Sequence, residues 1–117
     1  MQPAQVVSAP RTLTGCDDVR TEVSKYPDWD ARLMVAISKA ESNCRAEAKG
    51  DGHITFKQKG RVYGYSLSAM QVRILPGREH CDTHDLATNI KCAHDIFKGQ
   101  GYKAWSVYTN GKYKKFL

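Results

Sequence analysis

The stretch "DWDARLMVAISKAESNC", residues 28–44, constrains the fold more than any other part of the chain, because its apolar residues recur at helical spacing. At about 100° per residue, Leu33, Ile37, Ala40 and Cys44 fall within about 60° of one another, and Met34 widens the stripe on one side. Asp28 or Asp30 starts this helix and sets a carboxylate at the positive end of its dipole. An apolar face of this kind has to be buried against other elements. Glu41 breaks the pattern, since it lies between Ile37 and Met34 on the wheel, inside the stripe.

The 117 residues suffice for one hydrophobic core, so residues 14–117 are read as one domain. Residues 1–13, rich in Gln, Pro, Ser and Thr, form an N-terminal arm with little periodicity. Thr14 caps a short helix from Cys16 to Lys25, and Pro27 stops it. After the Glu41 helix, "GDGHITFKQKGRVYGYSLS" alternates Ile54 and Phe56 against Thr55 and Lys57, turns at Lys59-Gly60, and alternates again at Tyr63 and Tyr65. Period 2 around a glycine turn predicts a β-hairpin. A short helix is expected over Ala69–Ile74, ended by Pro76-Gly77. Thr83 caps a further helix through Lys98, carrying Leu86, Ile90, Ala93 and Phe97 at helical spacing, with Gly99 as its stop. The aromatic tail carries a short helix near Ala104–Tyr108. The expected class is α+β, mostly helical, with a small hairpin inserted after the second long helix.

With 41% hydrophobic and 26% charged residues the composition is that of a globular domain and not of a disordered tail. No apolar run approaches the roughly 20 residues that cross a bilayer. The first residues do not read as a secretory signal, so export implies a removed signal or another route. A formal charge of +6 suits a polyanionic partner such as nucleic acid, an anionic membrane or an acid-bearing cell wall. Cys16, Cys44, Cys81 and Cys92 allow three pairings, among which Cys16–Cys44 and Cys81–Cys92 are favoured because each joins neighbouring segments. Two disulfides indicate an oxidising compartment, periplasmic or extracellular; four buried free thiols are the alternative.

Burial disfavours ionisation, so a carboxyl among Ile37 and Met34 has its pKa raised and holds a proton near neutral pH. A general acid that protonates a glycosidic oxygen needs that property, and its conjugate base then takes a proton back. The competing reading pairs Glu41 with Arg45 at i+4 or lets it snorkel at the edge of the core. Glu47, just past the helix, is expected to be solvated.

Glu41-Ser42 at a helix end, a hairpin, then Ser68-Ala69-Met70-Gln71-Val72, "DLATNIKCAHDIF" and "AWSVYTNGKYKKF" follow one another in an order that resembles the lysozyme-like superfamily. The likeness is to its soluble lytic transglycosylase and goose-type lysozyme group, over about residues 16–117. Ser68 and Ala69 stand where that group usually has Gly and Leu, while Met70, Gln71 and Val72 keep the pattern. The resemblance implies a lysozyme-like α+β fold, with Glu41 as catalytic acid and base in cleaving the β-1,4 bond of peptidoglycan. It further implies that Ser42 supports the carboxyl or orients the sugar, that Met70 and Gln71 support or contact the glycan, and that Tyr108 positions Glu41. Taken alone, Ser42 bonds back into its helix, Gln71 is solvated and Tyr108 packs. The tail reads Tyr108-Thr109-Asn110-Gly111 where the group has Tyr-Asn-x-Gly, so Tyr108 carries over more safely than Asn110.

Most glycosidases use two carboxylates. Asp51, before the hairpin, is the one candidate for a second, although "GDG" is an ordinary turn. Lytic transglycosylases work with a single Glu, acid and then base, and form a 1,6-anhydro product; this chemistry is expected ahead of hydrolysis. Tyr63, Tyr65, Trp105 and Tyr108 are candidates for stacking on sugars or for core packing. The expected partner is the glycan strand, met by a monomer without cofactor, metal, nucleic acid or membrane span. From another class, His80, Cys81, His84, Cys92 and His94 raise a zinc site in a cationic nucleic-acid-binding module. Cys92 and His94, two apart on a helix, point to opposite sides and weaken it. A third alternative binds glycan without cleaving it.

Overall fold

The Asp30 carboxylate accepts from the Leu33 N–H at 3.2 Å and starts helix α2, Ala31–Ser42, which Asn43 ends in the left-handed conformation at φ 55°. The computed structural model describes residues 11–117. Around α2 the chain forms α1 (Cys16–Val23), β1 (Lys49–Gly50), β2 (Phe56–Gln58), β3 (Arg61–Tyr63), β4 (Ser66–Leu67), β5 (Val72–Arg73), α3 (Leu86–Gln100) and α4 (Ser106–Thr109). Four 3-10 turns fill the connections, the last being Lys112–Phe116. The result is a mixed α+β domain with no helix long and apolar enough to cross a membrane among the described residues.

α2 is buried over Met34–Ser38, more broadly than one stripe, because α1 lies against one side and α4 with the Lys112–Phe116 turn against the other. Met34 and Ile37 are fully buried, as are Met70, Ile74, Leu86 and Ile90, at about 1.5–3 kcal/mol each. Leu33 and Ala40 are only half-buried, at the edge of this core. Glu41 stands a turn beyond Ile37 and Ser38, where the buried face of α2 runs out to solvent.

The predicted hairpin is present as β2–β3, with Phe56 opposite Tyr63 and Gln58 opposite Arg61. Tyr65 lies beyond it. The sequence did not reveal a second, three-stranded sheet in the order β1-β4-β5, which pairs Gly50 with Ser66 and Ser66 with Arg73. The helix expected over Ala69–Ile74 is absent: Ser68 and Gln71 adopt φ of 66° and 50°, which break a helix, and Val72–Arg73 is strand. Three smaller expectations are corrected. Gly15, not Thr14, precedes α1, which ends at Val23; the Thr14 hydroxyl instead accepts from Ala46 N–H. Asp85, not Thr83, caps α3 by accepting from Thr88 N–H. Gly99 lies inside α3, and Gly101 at φ 70° ends it.

Disulfides join Cys16 to Cys44 and Cys81 to Cys92, with Cα separations of 5.0 and 6.1 Å. The first ties α1 to the end of α2; the second ties the turn after β5 to α3. The arm expected over residues 1–13 lies outside the described residues up to position 10. At its end, Arg11 makes two 2.7 Å bonds to Asp18, and Leu13 packs on the core.

Candidate active site

A single segment, Ser68–Gln71, couples the core to a cleft. Ser38 and Ser42, one turn apart on α2, both donate to the Ala69 carbonyl, at 2.8 and 2.7 Å. From the opposite side the fully buried Asn89 of α3 accepts from Met70 N–H at 2.9 Å and donates to Leu67 O at 3.0 Å. Trp105 Nε1 donates to Met70 O at 2.9 Å. Three elements thus hold one tight turn, and the paired buried polar groups make that hold rigid.

Beside this turn opens a cleft of about 460 Å³. Glu41 and Asp51 line it, with Ser66 and Gln71 between the sheet and α2. Arg73, Arg78, Ile96, Gln100, Trp105 and Ser106 line it as well. Gly50 gives the Gln71 amide its place, because a side chain at position 50 would collide with Gln71 Oε1. Gln71 itself donates to Ser68 O at 2.9 Å.

Glu41 is in none of the ion pairs among the described residues. Arg45 does not reach it; its Nε donates to Ser42 O at 3.1 Å. Burial lifts the Glu41 pKa from the ordinary 4.5 to about 7, the negative charge of Asp51 adds to the rise, and a hydrogen bond from Val107 N–H opposes it. Asp51 adopts φ 59° at a turn, and its Oδ2 accepts from the Ser66 hydroxyl at 2.5 Å. The GD turn and the cleft carboxylate are therefore the same residue. Two carboxyl groups sense each other across one cleft, and one holds a proton near neutral pH.

Of the other sequence candidates, Ser42, Met70, Tyr63, Tyr65 and Tyr108 are not among the residues that line the cleft. Ser42 is buried under the Ala69 turn and bonds weakly back to Ser38 O at 3.3 Å. Met70 is fully buried beneath the cleft. Tyr108 stands in an aromatic row between Tyr102 and Tyr113, with centroids 5.4 and 5.1 Å away, and does not line the cleft. The group that α4 gives to Glu41 is the Val107 backbone N–H. Tyr65 donates to Asp82 at 2.7 Å on another groove, under Lys49, whose Nζ lies 4.6 Å from the ring centre. Tyr63 and Trp105 are buried, although Trp105 also borders the cleft. Glu47 is exposed.

The zinc candidates divide. His80, Cys81 and Cys92 bring their side-chain atoms within 4.8 Å of one another, but both sulfurs are joined in a disulfide and offer no thiolate. His84 bonds to Ala46 O at 2.9 Å, and His94 meets Asp28 at 2.6 Å while stacking on Tyr26. Ser66, Arg73, Arg78 and Gln100 are cleft residues that the sequence reading missed, because they converge from β4, β5, the loop after it and α3 with no shared spacing. Comparison of the chain with protein-family models, with curated proteins and with solved structures finds no match.

Proposed function

We propose that this domain cleaves the β-1,4 bond between N-acetylmuramic acid and N-acetylglucosamine in peptidoglycan, as a lytic transglycosylase in which Glu41 acts first as acid and then as base. The observation that carries the reading is Glu41 itself: a half-buried carboxyl without a cationic partner among the described residues, on the wall of an open cleft and facing a second carboxylate. A core glutamate kept for stability is paired; this one is left able to hold and release a proton. In the proposed step the Glu41 proton passes to the glycosidic oxygen as the C1–O bond breaks, and the Asp51 charge stabilises the positive charge that grows on C1. The Glu41 carboxylate then takes the proton of the C6 hydroxyl as that oxygen closes on C1. The 460 Å³ cleft is of a size for a few sugar rings.

A second reading is favoured by Asp51. A carboxylate on the same cleft can activate water, and the outcome is then hydrolysis to a reducing end. Mass spectrometry of digested murein separates the two, since an anhydro end lacks the elements of one water relative to a reducing end. Anhydro ends support the transglycosylase; reducing ends, lost in Asp51→Asn, support the hydrolase. Murein left intact by the wild-type protein overturns both. The two disulfides and the basic charge support action outside the reducing cytosol, on an acidic wall polymer.

A further inference from the structure

We propose that Arg73 and Arg78 form a carboxylate-recognition part of the cleft, so that the domain selects glycan strands bearing free carboxylates over uncharged β-1,4 N-acetylglucosamine polymers. This rests on the glycan-cleft reading and names the substrate feature that the cleft selects. Both residues are half-buried and both line the cleft that holds Glu41 and Asp51. Their hydrogen bonds among the described residues all go to neutral carbonyls. Arg73 donates from Nε to Gly64 O at 2.9 Å and from Nη2 to Ile54 O at 3.3 Å, while Arg78 donates from Nη1 to Arg73 O at 3.2 Å. Neither joins an ion pair among the described residues, although Arg11 and Arg61 each find an aspartate.

The fold has a carboxylate close at hand that leaves them unneutralised. Arg73 sits directly opposite Ser66 in the sheet, and Ser66 holds Asp51. Yet Asp51 accepts from the Ser66 hydroxyl, and Arg73 donates to the carbonyls of Gly64 and Ile54 that flank the hairpin. Two guanidinium groups on one cleft therefore have donors to spare, and the aliphatic Leu75 and Ile96 line the same cleft, where an anion would be weakly screened. The planar fork of a guanidinium matches a carboxylate. Glu41 and Asp51 in the same cleft repel a densely charged phosphate backbone more than an isolated carboxylate held by the arginines. In peptidoglycan that carboxylate has two sources, the lactyl group of a strand stripped of peptide or an acid of the peptide stem.

The test is binding without turnover, in the Glu41→Gln protein, by calorimetry. Three tetrasaccharides serve as ligands: chitotetraose without carboxylates, a murein tetrasaccharide stripped of peptide, and the same with its stems. We expect tighter binding of at least one murein ligand than of chitotetraose, and whichever it is names the source. Adding Arg73→Gln and Arg78→Gln together lowers that preference by about tenfold, whereas Lys at both positions keeps part of it. Arg78→Gln alone, which gives up one carbonyl contact, guards against a misfolded double variant and lowers the preference in the same direction. Equal affinity for all three ligands, or a preference that survives the double change, overturns the inference, as does tighter binding of a DNA oligonucleotide. Carboxylate preference without bond cleavage by the wild-type protein refutes the glycosidase reading alone; cleavage without preference refutes this inference alone.

Discussion

Replacing Glu41 by Gln keeps shape and removes the titration, so its effect on stability must depend on pH. In the folded chain the carboxyl titrates at about 7 against an ordinary 4.5. Between those values the folded state holds a proton that the unfolded chain has released, so stability falls as pH rises through the window. Below it both states are protonated, above it both are ionised, and the full cost of carrying the charge is present. At about 1.4 kcal/mol per pH unit the shift corresponds to about 3 kcal/mol, which the partial exposure of Glu41 to solvent reduces to about 2 kcal/mol. The neutral amide of the Glu41→Gln protein has no such cost. Urea unfolding of both proteins at pH 4 and pH 8 reads the difference. The variant's stability relative to wild type should rise by about 2 kcal/mol from the acid to the alkaline value. A relative stability that is flat with pH, within the error of the two curves, refutes a desolvated Glu41.

Asp51→Asn removes the second cause of the raised Glu41 pKa and leaves desolvation, the larger one, so NMR titration of Glu41 should give a midpoint below wild type and still above 4.5. Ser68, at φ 66° with a buried hydroxyl that has no hydrogen-bond partner among the described residues, is better served by glycine. Ser68→Gly should therefore raise stability by about 1 kcal/mol in thermal unfolding, and a loss would refute the strain argument. Loops closed over separations of 28 and 11 residues predict that removing Cys16–Cys44 costs about 3.6 kcal/mol and Cys81–Cys92 about 2.8 kcal/mol. Paired Cys→Ser variants measured by denaturant unfolding check that order.

α2 was legible because capping, period and amphipathicity agree over residues 30–42, and the anomaly at Glu41 was visible only against that regular background. The β2–β3 hairpin was legible for a like reason, since Lys59-Gly60 separates two alternating runs. The segment after it reads as helix although Met70, Val72 and Ile74 alternate at 0%, 2% and 0% exposure, the period of a strand. What overrode helix there is tertiary: Asn89, Ser38, Ser42 and Trp105 each take a backbone group of Ala69 or Met70 that a helix would need. Thr83 against Asp85 at its start and Gly99 against Gly101 at its end are errors of two residues in the bounds of α3. Of the site, Glu41 and Asp51 could be found from sequence, one as a break in a pattern and one as a carboxylate at a turn. The placing of Tyr108 beside Glu41 came from resemblance; its ring packs with Tyr102 and Tyr113, and its neighbour Val107 gives Glu41 a backbone N–H. The cleft arginines could not be found, because only the folded sheet brings residue 73 beside residue 66.

Release of soluble glycan fragments from purified peptidoglycan sacculi, by the wild-type protein and by Glu41→Gln at equal concentration, tests the proposed role of Glu41 most directly. Fragments are expected from the wild type and at least about a hundredfold fewer from the variant, the contribution of one general acid–base group, with both proteins giving the same far-ultraviolet circular dichroism. Undiminished release by Glu41→Gln, or none by the wild type, contradicts that role.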